Sequence, residues 1–172
     1  QIQVHIGKNG QDVTEKLVQS SKEDALKAKE ENLCGFILKA KSPTCGMARV
    51  KVYKPINAPA ENKGVGVFAN ELRKVYPYLP IEEEGRLTDP WLKENFLMQV
   101  FAYKHIHEFL DSNPKFKDLV EFHTSYKYLI YAKSQESYKQ LGALVANQDK
   151  LPLEEILEAY KLGFLQAIDK KG

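Results

Sequence analysis

The sequence is poor in cysteine, in long apolar runs and in net charge. Two cysteines among 172 residues cannot build a disulfide framework, which points to a reducing, cytoplasmic setting. No apolar run approaches the roughly 18 residues that span a bilayer, so no membrane partner is expected. The start, "QIQVHIGKNG", lacks the basic segment and long apolar core of a secretory leader. A formal net charge of +2 makes no electrostatic case for nucleic acid or for a lipid surface. Glycine-rich phosphate loops are missing too, because "GVGVF" has the wrong spacing for a dinucleotide fingerprint or a P-loop. There are no internal repeats and no low-complexity tract.

What is present suffices for one globular domain or two small ones with a real core. The first half alternates strand-like and helix-like segments. "IQVHI" alternates with period two and reaches "KNGQD" as a turn. A helix is expected from Asp12 to about Glu31, with Asp12 and Glu15 spaced as a capping box and Val13, Leu17, Ala25 and Leu26 as its buried stripe. "CGFILKA" and "RVKVY" read as strands either side of a Ser-Pro-Thr-Cys-Gly turn, and residues 54–64 as a loop. "VGVFANELRKVYP" is an amphipathic helix closed by Pro77, and "LPIEEEGRL" a last strand. Strands separated by helices predict an α/β layer with some parallel pairing.

After "GRLTDP" the pattern turns helical. Thr88 or Asp89 can cap a helix with Pro90 at its first position, and Trp91, Phe96, Leu97, Val100, Phe101 and Tyr103 recur at helical spacing. Further helices are expected from Phe116 to about Ala132, after Ser134 and after Pro152. The fold class is therefore α/β, α+β overall: a small Rossmann-like layer at 1–86 followed by an all-α helical domain at 87–172. The chain starts on a strand-like segment without methionine and stops at "QAIDKKG", a helix end, so it reads as an internal piece of a longer protein.

A cysteine at the tip of a turn, with hydroxyls before it and a glycine after it, can aim its sulfur outward; it also fits an ordinary small residue in a turn. Cys34 lies ten residues earlier and reads as a packing residue. His105 and His107 are two apart on a helix and diverge. His123 and Tyr126 share a helix face beside Lys127 and read as a partly buried histidine bonded to a neighbouring helix. The acidic run Glu82-Glu83-Glu84 on a strand alternates between faces and does not make an acid–base pair; Arg86 or a helix terminus can pair with one member. "YKYLIYAK" mixes aromatic and basic residues, as single-strand binders do, but Tyr128, Leu129, Tyr131 and Ala132 read as a packing stripe.

These motifs carry a resemblance. "CGFILKAKSPTCGMARVKVY" resembles the segment "DGFILKxxSPSCGxxxVKVY" of the TudS-like thiouracil desulfidase family, once domain of unknown function family 523. "GQDVTEKL" and "GVGVFANELRKVYPYLPIEEEGRLTDP" are similar to other parts of that family. "ENFLMQVFAYKHI" and "LVEFHTSYKYLIYAKSQESYKQLGALVA" resemble the YbgA-like helical domain, family 1722, commonly fused behind it. The resemblance implies an enzyme that holds a [4Fe-4S] cluster by three cysteines and removes sulfur from a thiolated base such as 2-thiouracil. It carries over Cys45 as one cluster ligand and Ser42 as a hydroxyl that bonds substrate or relays a proton. Pro43, Thr44 and Gly46 support the turn, with Gly46 letting the backbone approach a cluster. Thr44 stands where the family has serine. The family's "CLxG" and "CPE" cysteines have no counterpart here, so no cluster is expected in this chain alone. His123, Tyr126 and Lys127 are the helical part's candidates. The competing reading is a non-catalytic binding module whose helical part contacts a protein or nucleic acid; a shortened helical half would also leave apolar faces open to pairing between chains.

Overall fold

The computed structural model describes residues 3–6, 9–53, 59–147 and 150–170. The chain divides into two compact units, residues 1–96 and 97–172.

The first unit is built on α1 (Thr14–Glu30), β1 (Phe36–Leu38), β2 (Val50–Val52), β3 (Glu61–Gly64), α2 (Val67–Val75) and β4 (Ile81–Glu83). β1 and β4 pair in parallel, Phe36 against Ile81 and Leu38 against Glu83. β2 and β3 form a separate antiparallel pair with an irregularity between Val50 and Lys51. The expected α/β character with parallel pairing is there, in a sheet of two strands.

Several details differ from the sequence reading. The "IQVHI" strand reduces, among the described residues, to a single bridge between His5 and Asp12; Ile2 and Gly7 lie outside them. Asp12 does open α1, but by accepting from the amide and the hydroxyl of Thr14 at 2.9 and 2.6 Å; Val13 holds the N-cap position and no capping box with Glu15 forms. Ala25 is fully buried, whereas Leu26 is 57% exposed, because Ser21 shares the buried face in its place. β3 falls inside the stretch read as a loop, of which 54–58 lie outside the described residues. Its sequence "ENKG" has no apolar alternation, and its pairing with β2 alone makes it a strand. α1 packs on α2, and the Tyr76 hydroxyl donates to Ala28 O at 2.9 Å.

A short 3₁₀ turn, Arg86–Thr88, leads to α3 (Pro90–Asp111). Asp89 caps it, accepting from the Leu92 amide at 3.0 Å. The second unit continues with α4 (Phe116–Lys133), α5 (Gln135–Ala146) and α6 (Leu153–Asp169). Ser134 accepts from the Ser137 amide to start α5, and Asn147, left-handed at φ 44°, ends it. The fully buried Leu119, Ile130, Leu141, Ile156, Tyr160 and Phe164 form the core. Phe122 anchors its aromatic part, stacked on Phe109 at 4.5 Å and edge-on to Phe164 at 5.5 Å. Of the expected stripe at the end of α4 only Leu129 is half-buried: Tyr128 is 74% and Tyr131 49% exposed, and Ala132 is exposed as well. α4 turns Leu119, His123 and Ile130 inward instead.

Candidate functional site

β1 ends at Leu38, and the chain enters the turn that carries Ser42, Pro43, Thr44, Cys45 and Gly46. Because β1 and β4 run parallel, this turn lies beyond the carboxyl end of β1, beside the carboxyl end of β4. Open α/β sheets commonly place ligands there.

Three sets of bonds hold the turn. Ser42 makes the first: its Oγ accepts from the amides of Thr44 and Cys45 at 3.2 and 3.3 Å, and its carbonyl accepts from Gly46 N at 2.9 Å. The start of α2 makes the second. Val67 N donates to Pro43 O at 3.0 Å and Phe68 N to Thr44 O at 2.8 Å, so amides that a helix leaves without partners are met by the turn's carbonyls. β4 and its extension make the third. The Met47 amide donates to Glu83 Oε1 at 2.8 Å, and the Ala40 amide to Glu84 Oε2 at 2.7 Å.

Two glycines permit this packing. A Cβ on Gly66 would overlap the Thr44 carbonyl and lie 2.7 Å from Cys45 N. One on Gly46 would lie 2.6 Å from Val50 Cγ2 and 2.9 Å from Ser42 O. Gly46 therefore makes room for the turn's own neighbours. Lys41 and Arg49, flanking the turn, adopt left-handed φ of 59° and 58°, a conformation that costs a non-glycine side chain about 1 kcal/mol or more.

The three carboxylates do separate jobs. Glu82, buried, accepts from Arg86 Nε at 2.8 Å, the pairing expected from the sequence. Glu83, also buried, serves Met47, and Glu84 serves Ala40. The Ala40 amide first, then the Lys39 side chain, hold the Glu84 carboxyl below its ordinary range. The roles of Glu83 and Glu84 were missed in the sequence. The signal was three acids at the end of a strand whose parallel partner leads into the cysteine turn.

Cys45 is a free thiol, partly exposed. Cys34, also free and partly exposed, directs its sulfur toward Asn32 O at 3.8 Å. Among the described residues no three or more His, Cys, Asp or Glu side chains are grouped to hold a metal ion. Cys45 by itself offers one sulfur ligand, and a [4Fe-4S] centre takes several; the described donor set does not fit that group.

His123, Tyr126 and Lys127 belong to the second unit. His123 is buried on α4, with Nδ1 3.0 Å from the Tyr160 hydroxyl on α6. Burial, and after it the charge of Lys127, lower its pKa. Tyr126 has its hydroxyl 2.6 Å from His105 Nδ1 and its ring edge-on to Phe164 at 5.0 Å; burial raises its pKa. Lys127 places its ammonium 5.2 Å from the centre of the Tyr128 ring. His107 bonds back to Tyr103 O at 2.8 Å, so the two α3 histidines have different partners. No helix of the described residues is long and apolar enough to cross a membrane.

Comparison with known proteins yields two family matches. Residues 1–84 match the family described as 2-thiouracil desulfurase, and residues 127–172 match a family described as protein of unknown function, DUF1722. No curated protein and no solved structure matches the chain. Residues 1–84, which contain the cysteine turn, are thus similar to the 2-thiouracil desulfurase family, and residues 127–172 to the DUF1722 family.

Proposed function

We propose that the first unit is the Cys45-bearing part of a desulfurase acting on a thiolated base, with any further cysteine ligands supplied from outside this 172-residue sequence, whose two cysteines are Cys34 and Cys45. The carrying observation is the turn itself: a partly exposed thiol on a backbone tied to α2 and β4, within a segment of matching family. The net reaction exchanges sulfur for oxygen at a ring carbon, with thiocarbonyl and water giving carbonyl and hydrogen sulfide. Ser42 has a defined part in this reading. Its oxygen accepts from two amides, which leaves its O–H proton as a donor toward a bound base. The test is sulfide release from 2-thiouracil and from thiolated nucleosides by the natural gene product, purified without oxygen, with iron and acid-labile sulfide measured alongside. Cys45→Ser is expected to abolish release. Full turnover by that variant would end the reading.

A second reading concerns the helical unit and is favoured by one observation. Tyr128 and Tyr131 stand exposed, Lys127 lies over the Tyr128 ring, and Tyr131 meets Tyr138 edge-on at 5.4 Å. Between Phe122 and Asn147 the charged side chains are Lys127, Lys133, Lys139 and Glu136. Exposed rings with Lys127 beside one of them suit stacked bases and a phosphate backbone. We infer that this face contacts single-stranded nucleic acid. Retention on single-stranded RNA that is unchanged by Tyr128→Ala and Lys127→Ala would refute it.

A further inference from the structure

The amides of three consecutive residues set the backbone at the cysteine. Those of Cys45 and Gly46 go to Ser42, within the turn. That of Met47 goes to Glu83 on β4, 36 residues away. Glu83 is 8% exposed, and a carboxylate buried to that degree is costly unless it is bonded. Its strand position, paired with the buried Leu38, would suit an apolar side chain if packing were its only role. The bond it makes instead is charge-assisted and fixes the segment just past the thiol.

We propose that Glu83 is a positioning residue for Cys45: by holding the Met47 amide it sets the direction in which the thiol leaves the turn. Its catalytic meaning rests on the desulfurase reading above, while the positioning stands on geometry alone. Glu84 holds the other end of the turn at Ala40, so Glu83 is the point at which the exit from the turn is adjustable.

The experiment measures iodoacetamide alkylation of each thiol by mass spectrometry in the full chain, comparing wild type with Glu83→Gln, Glu83→Asp and Glu83→Ala. Cys34 serves as the internal reference, and thermal midpoints are recorded in parallel. A glutamine oxygen still accepts from Met47 N, so Glu83→Gln is expected to leave the Cys45 rate within about twofold of wild type. Glu83→Asp is one methylene too short, and Glu83→Ala has no acceptor. Both are expected to change the Cys45 rate about tenfold, as loss of a bond to a charged group implies, with the Cys34 rate unchanged. If Glu83→Ala does not fold, the contrast between Asp and Gln decides the matter. Equal Cys45 rates in wild type and Glu83→Asp overturn the proposal, as does a parallel change in both thiols together with the midpoint. If Cys45 responds as expected but the natural gene product turns over no thiolated base, the desulfurase reading falls and the positioning stands. Turnover with an unresponsive Cys45 gives the reverse.

Discussion

Nδ1 of His123 lies 3.0 Å from the hydroxyl of Tyr160, joining α4 to α6 inside the helical core. Burial holds the imidazole below its usual value of 6.5, so the unfolded chain binds that proton more readily than the folded one. The resulting stability is full above about pH 6.5 and is lost as the pH falls through that value and on through the lower folded pKa. Thermal midpoints measured between pH 8 and pH 5 are expected to fall over this window, and the fall is expected to shrink in His123→Gln.

Tyr160→Phe removes the partner and leaves the ring in place. Loss of a buried hydrogen bond with one group stranded costs about 1–3 kcal/mol. Denaturant unfolding at pH 8 is expected to show that loss. A change within error would mean that another group satisfies His123.

Gly66→Ala puts a methyl group against the Thr44 carbonyl and the Cys45 amide, both of them backbone. Relief requires α2 to move off the cysteine turn, and overpacking of this kind costs about 1–3 kcal/mol. The expected result is a lower unfolding midpoint together with faster alkylation of Cys45. Gly142→Ala is the control, because a Cβ there meets nothing within 4 Å.

Ser134→Ala removes the acceptor for the Ser137 amide at the start of α5, and the Lys170 ammonium also reaches that oxygen, at 2.9 Å. A lost cap of this type costs about 0.5–2 kcal/mol. Tyr128→Ala, on an exposed ring, is expected to stay within about 0.5 kcal/mol of wild type. The pair separates a helix-start effect from a surface effect in the same unit.

Local chemistry was readable from the sequence wherever one short segment determined it. Asp89 before Pro90, Ser134 before α5 and the closing Pro77 are signals within one helical turn, and the structure places them at helix ends. Leu26, Tyr128 and Tyr131 are exposed against the sequence expectation for a common reason. Helical spacing identifies a face, but which face turns inward depends on partners elsewhere in the chain. β3 was missed because "ENKG" becomes a strand only through β2. In the cysteine turn the consecutive residues Ser42 to Gly46 were visible as a motif. The residues that hold them, Glu83, Glu84 and Gly66, come from distant segments, and no spacing rule connects them to the motif.

The separation of those segments also bears on the order of assembly. Met47 waits for Glu83, 36 residues on, and Ala40 for Glu84, 44 residues on. Such contacts form only after the intervening chain has closed the parallel β1–β4 pair, a slow class of event compared with helix formation. We predict that a refolding chain passes through an interval in which α1 is formed while Cys45 still sits on a loose loop. Pulse alkylation during refolding is expected to label Cys45 quickly at early times and slowly once the strands have paired; a rate constant throughout would exclude this order. The same interval leaves the thiol at its most mobile before its geometry sets, so a group that binds Cys45 then would meet a pliant ligand.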